Sequence, residues 1–170
     1  MNGSVPAIPA FAGMQGRTVT TAINALLGET SVGNEVVVVG GGYVGCETAL
    51  HLAGKGKKVS VIEMLPDIAL DAGAIDRVAL VRLLAEMGVQ WFTGMTVEEI
   101  NERGVLARNK DGGRQEFPGS VVVATGMRAN DGLYEEIRDR IGEIHKIGDA
   151  VQPRRVFDAI HEGETVGHLL

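Results

Sequence analysis

A chain of 170 residues, 45% of them hydrophobic, suits one domain with an extension and can bury roughly 70% of its unfolded surface, so it needs no disulfide or metal staple. A formal charge of −6 with no large Lys/Arg cluster argues against nucleic acid as a partner. Cys46 is the single cysteine, which excludes an intrachain disulfide, and no apolar run reaches the ~18–20 residues of a membrane span, so no membrane partner and a cytoplasmic location are expected.

The first sixteen residues, with Gly3, Pro6, Pro9, Gly13 and Gly16, read as irregular chain rather than strand. Thr20 or Thr21 caps a short helix that runs through Leu27 to Gly28 as its C′ residue. The β-branched run Val36–Val39 then enters Gly40-Gly41-Gly42-Tyr43-Val44-Gly45, and Val44, Ala49, Leu50 and Leu52 keep helical spacing until Gly54 and Gly56. A second strand, Lys58–Ile62, ends in Glu63. After the loop Met64–Leu70, Asp71 or Asp76 opens an amphipathic helix carrying Val78, Leu80, Val81, Leu83, Leu84 and Met87. Gly88 stops it, and Val89–Phe92 is a short third strand.

The pattern then changes to 96–100, 104–109 and 114–117, three short strands with Asp111-Gly112 at a hairpin turn. Ser120–Ala124 is a buried apolar strand reaching Thr125-Gly126. A helix is predicted over 132–141, a brief strand over 144–147 ending at Gly148-Asp149, and a final helix over 156–169. The fold class is α/β: a Rossmann-like parallel sheet flanked by helices, with a small antiparallel β-meander insertion.

The glycine turn carries the chemistry. Gly40 allows a tight turn off the strand, Gly42 lets a pyrophosphate approach the backbone, and Gly45 lets the helix pack close to the sheet. The phosphates sit on free N–H groups, those of Tyr43 and Val44 among them, at the positive end of the helix. Glu63 lies 23 residues beyond Gly40, near the ~20 expected for an acid that accepts the adenosine ribose hydroxyls. Met64, Leu65 and Pro66 follow it, so no cation is at hand for a 2′-phosphate and the expected ligand is NAD(H) rather than NADP(H). The four histidines show no metal-ligand spacing, and Cys46 reads as a small packing residue.

Several motifs together resemble the flavoprotein pyridine nucleotide–disulfide oxidoreductase superfamily, and within it the C-terminal region of the NADH:flavin oxidoreductases of the 2,4-dienoyl-CoA reductase/2-enoate reductase group. Residues 37–47 are similar to the NAD(P)H fingerprint, and Val121-Val-Val-Ala-Thr-Gly126 to the Ala-Thr-Gly motif. Ile147-Gly-Asp-Ala150 with Pro153-Arg and Ala159-Ile-His-Glu-Gly163 is similar to the C-terminal flavin-binding segment, and Gly3-Ser4-Val5-Pro6 to the exit from the FAD domain. Met1 and Asn2 stand where that exit has Ala-Thr.

The resemblance implies an NADH-binding domain of an FAD-dependent oxidoreductase, with hydride passing to flavin and onward to an activated alkene. It implies a division into 1–33, remnant and linker of a preceding FAD domain; 34–130, the NAD(H) domain; and 131–170, a return to the FAD domain. The chain is then an excised piece lacking its FAD and barrel domains, retaining no FAD and free to self-associate. By the same resemblance Tyr43 and Glu47 lie beside the nicotinamide, the bland alternative being packing and support of the helix terminus. Gly126 and Met127 lie near the nicotinamide ribose, Met64 follows the ribose acid, Val97 walls the adenine pocket or merely starts a strand, and Asp149 binds the flavin ribitol. No catalytic side chain and no metal ligand are expected.

Three other functions compete. A standalone redox sensor needs an effector surface that is not evident in the residues. A methyltransferase leaves the meander and the Ala-Thr-Gly segment without a role. A short-chain dehydrogenase is disfavoured because Tyr134 is followed by Arg138 where its motif has lysine.

Overall fold

The computed structural model describes residues 3–14 and 19–170. Met1 and Asn2, and Gly16 of the irregular lead, lie outside the described residues. The chain forms two compact units: one is Ile8–Gly126, and the other joins the chain's beginning, up to Ala7, to Met127–Leu170.

The larger unit is built on a parallel sheet. Its strands are β2 (Val19–Thr21), β3 (Glu35–Val39), β4 (Lys58–Ile62), β5 (Gln90–Phe92) and β9 (Ser120–Val123), in the spatial order β2-β9-β3-β4-β5. Runs of valine suit strands buried on both faces, and their alternation assigns each side chain. Val36, Val38, Val59, Val61 and Val122 pack on helices α1 (Ala22–Leu27), α2 (Tyr43–Gly54) and α3 (Ala74–Glu86). Val37, Val39, Val121 and Val123 face the other way. They meet an antiparallel meander of β6 (Met95–Asn101), β7 (Gly104–Asn109) and β8 (Arg114–Pro118), whose Ile100, Val105, Ala107 and Phe117 complete a second core. Phe117 lies edge-on to Phe92 with ring centroids 4.7 Å apart.

Local signals account for both ends of α1. Thr21 accepts the N–H of Asn24 at 3.2 Å to cap α1, and Gly28 closes it in the left-handed region at φ 73°. For α3 the expectation fails: its N-cap is Gly73, not Asp71 or Asp76. The Asp71 carboxylate is engaged elsewhere, as described below. Strand β2 was not expected; it pairs in parallel with β9, Val19 opposite Val121.

In the smaller unit, β1 (Gly3–Pro6) pairs antiparallel with β10 (Met127–Asn130), so within the lead expected to be irregular these four residues form a strand, while 7–11 carry no regular structure. The pairing lies within this unit, which begins again at Met127. Helix α4 (Gly132–Ile137) is shorter than predicted, and 144–147 is not a strand but leads into a 3-10 turn, Gly148–Ala150. Glu162 on α5 (Val156–Gly167) accepts the Gly148 N–H at 2.6 Å and pairs with Arg154. Among the described residues, no helix is long and apolar enough to cross a membrane.

Candidate functional site

The strand order places a topological switch between β3 and β9, since the chain leaves β3 toward β4 on one side and returns to β9 on the other. Ligands of open α/β sheets bind at the carboxyl ends of strands at such a point. A cavity of about 590 Å³ opens there, within the range typical of small-molecule sites.

Its floor is the glycine turn. Gly40 leaves β3 at φ 106°, where a Cβ would lie 2.4 Å from the Ala124 carbonyl oxygen. A Cβ on Gly45 would lie 1.9 Å from the Gly40 carbonyl oxygen, so the first turn of α2 can approach the strand end only with glycine at this position. Gly42 is the N-cap of α2 and offers no side-chain oxygen, and the first turn of the helix holds no acid of its own. The N-terminal N–H groups therefore depend on acceptors from elsewhere.

Glu63, at the end of β4, lines the cavity yet is only 8% exposed. Its Oε2 accepts the Gly41 N–H at 2.6 Å and its Oε1 accepts the Leu65 N–H at 2.8 Å. These bonds compensate the burial of the charge and hold the carboxylate at the rim of the turn. Each oxygen keeps acceptor capacity for a ligand hydroxyl. The sequence reading named the acid but not its two backbone partners, which follow from the tight turn and not from any residue pattern.

The cavity wall gathers most of the remaining predicted residues: Gly41, Tyr43, Val44, Met64, Val97 and Gly126 line it. Val44 and Met64 are largely exposed there. Glu47 does not line the cavity; it stands one helical turn beyond Tyr43 and is hydrogen-bonded to its hydroxyl, and that bond and the glutamate's charge push the Tyr43 phenol above its ordinary value. Met127 and Asp149 belong to the smaller unit. There Met127 is paired with Pro6, and Asp149 accepts the Ser4 hydroxyl at 2.9 Å and the Arg154 N–H at 3.3 Å.

Cys46 is buried beneath the turn and donates to the Gly41 carbonyl oxygen at 3.3 Å. Burial pushes its thiol up to about 12, so it is a neutral packing group and no redox thiolate. Among the described residues no group of three His, Cys, Asp or Glu side chains is placed to hold a metal.

Sequence reasoning missed Pro9, Phe11, Leu65, Leu70 and Asp71, which also line the cavity. Asp71 is the most consequential: its Oδ1 accepts the N–H of Tyr43, the first residue of α2, at 2.8 Å. Its only signal in the sequence was an acid near the start of α3, which pointed to the wrong helix.

A parallel sheet whose first core strand ends in this glycine turn, and whose second ends in an acid beside it, defines a Rossmann-type nucleotide fold. The chain belongs to the pyridine nucleotide-disulphide oxidoreductase family, whose sequence profile matches residues 2–152. It is 39% identical to an NADH oxidase of Thermoanaerobacter brockii over 95% of this chain and 26% of that protein. It is 30% identical to a cinnamate reductase of Clostridium sporogenes over 84% of this chain and 22% of that protein. A solved 2-naphthoyl-CoA reductase complex superimposes with a TM-score of 0.91 at 32% identity, covering 97% of this chain and 25% of the other. The chain thus spans about a quarter of the length of these relatives.

Proposed function

We propose that this chain is the NADH-binding part of an FAD-dependent oxidoreductase, serving hydride transfer to flavin and onward reduction of an activated alkene such as an enoate or dienoyl-CoA. The observation that carries the reading is the glycine turn facing a cavity of about 590 Å³ with Glu63 at the end of the adjacent strand. The residues fit a dinucleotide, because the turn leaves a bare backbone cradle that side chains would fill. When bound, the nicotinamide supplies the hydride, and the chemistry belongs to the cofactors.

The chain's own residues bind and orient. Gly42, Tyr43 and Val44 offer backbone N–H groups to the pyrophosphate. Glu63 accepts the adenosine ribose hydroxyls, and its charge repels a 2′-phosphate, which favours NADH over NADPH. Met64 and Val97 wall the adenosine half, while Tyr43, Glu47 and Gly126 stand toward the nicotinamide half. The alkene acceptor is supported by likeness to relatives named for an unsaturated acid and an aromatic acyl-CoA. We assign residues 34–126 to NAD(H) binding, with 8–33 in the same compact unit, and 127–170, Asp149 among them, to the flavin side.

Isothermal titration of the 170-residue chain tests this. The expected result is micromolar NADH binding, NADPH weaker by at least about tenfold, and no NADH consumption when FAD and an enoate are added. Tighter NADPH binding overturns the specificity, and no binding of either nucleotide overturns the reading.

A further inference from the structure

We propose that Asp71 is a built-in anion at the start of α2, which the pyrophosphate of an incoming dinucleotide must displace, so that this carboxylate sets the affinity of the site. The inference rests on the NADH reading above.

The carboxylate already holds the ligand's place. Tyr43 opens α2, and its N–H is one of the few that the helix cannot satisfy internally. Asp71 Oδ1 takes that N–H at 2.8 Å. A Cβ placed on Gly42 would lie 3.3 Å from Asp71 Oδ2 and 3.4 Å from Oδ1. Asp71 thus covers the glycine whose bare Cα leaves room for phosphate. Two anions cannot share one N–H and one helix terminus without repulsion.

The segment that carries Asp71 is anchored on both sides of it. Ile68 and Ala69 are fully buried, and the Ala69 N–H donates to the Gly41 carbonyl at 2.7 Å. Ala69 sits at φ 50°, a conformation alanine rarely adopts. Arg77 clamps the same loop by donating to the Ile68 carbonyl at 3.0 Å and pairing with Asp67. Beyond this anchor come Leu70, half exposed, then Asp71, Ala72 and Gly73. The Ala72 N–H donates back to the Ala69 carbonyl at 3.1 Å, so the carboxylate swings off Tyr43 by turning its own side chain while the anchored backbone stays. Glu63 differs: with two backbone donors and little exposure it remains in place when a dinucleotide enters.

The test compares the full chain with Asp71→Ala and Asp71→Asn, measuring NADH affinity, inorganic pyrophosphate affinity and thermal stability. Displacement predicts NADH and pyrophosphate bound about five- to tenfold more tightly by D71A, the equivalent of one lost helix cap, with a smaller gain for D71N. Adenosine, which lacks the phosphates, binds all three proteins alike. The ligand-free D71A melts lower, so affinity and stability move in opposite directions. If wild type binds NADH and both variants bind it equally or more weakly, Asp71 only supports the helix and the inference fails while the NADH reading stands. If none of the three proteins binds NADH, both fail.

Discussion

Glu63 carries two loads at once, and its substitution separates them. Glu63→Gln keeps the shape but leaves only one oxygen for two backbone donors, the buried N–H of Gly41 and the part-buried N–H of Leu65. The unsatisfied N–H costs about 1–3 kcal/mol, so the melting temperature should fall. The lost charge should weaken NADH binding while narrowing the gap between NADH and NADPH, which paired titrations will read. Cys46 makes a separate, pH-resolved prediction. Its thiol is raised by burial from 9.0 to about 12, so the folded state holds its proton more tightly than the unfolded state does. The stabilising effect of that bound proton is complete below pH 9 and is lost as pH rises from about 9 to 12. Cys46→Ser should flatten that part of the stability–pH curve relative to wild type, and the native thiol should resist thiol reagents at neutral pH until the protein unfolds.

Elements were legible where several residues repeated one signal. The valine run of β3, the alternation of β4 and the glycine-closed α2 all announced themselves, as did the meander with its hairpin turn. Strands β1, β2 and β10 did not, because three or four residues hold no period and their partners lie far along the chain, as with Gly3–Pro6 against Met127–Asn130. The failed strand at 144–147 has apolar residues only at its two ends, Ile144 and Ile147, and among the described residues it pairs with no strand. The same physics hid part of the candidate site. Gly40, Gly42, Gly45 and Glu63 announce themselves by type and spacing, whereas Asp71 reaches α2 only through the path of the loop 64–73. The meander's contribution to the fold can be measured at Phe117, which is 4% exposed and packs against Phe92. Phe117→Ala should cost about 3–5 kcal/mol in denaturant unfolding. A loss below 1 kcal/mol would mean that the parallel sheet does not depend on this cover.

At the scale of the whole molecule, the two units differ in how well they satisfy themselves. The unit Ile8–Gly126 owns both buried clusters, helices on one face of its sheet and the meander on the other. The unit with Met127–Leu170 has a two-stranded ribbon and α5, a helix with no buried residue. On α5, Val156, Phe157 and Ile160 are 76%, 69% and 64% exposed, and at that spacing they form one apolar stripe. Charged or polar residues hold the rest of the helix in place, with Glu162 bound to Gly148 and Arg154. Such a stripe is a cost in water unless another surface covers it, and a second copy of the chain carries a matching stripe. We therefore predict concentration-dependent self-association in light scattering or sedimentation. Phe157→Glu with Ile160→Lys should abolish it, by placing charges on the stripe, and should leave NADH affinity unchanged because the cavity is built wholly from the other unit. A wild-type chain that stays monomeric across the accessible concentration range would show that α5 tolerates its exposure, and a double variant that loses NADH binding would tie the helix to the site.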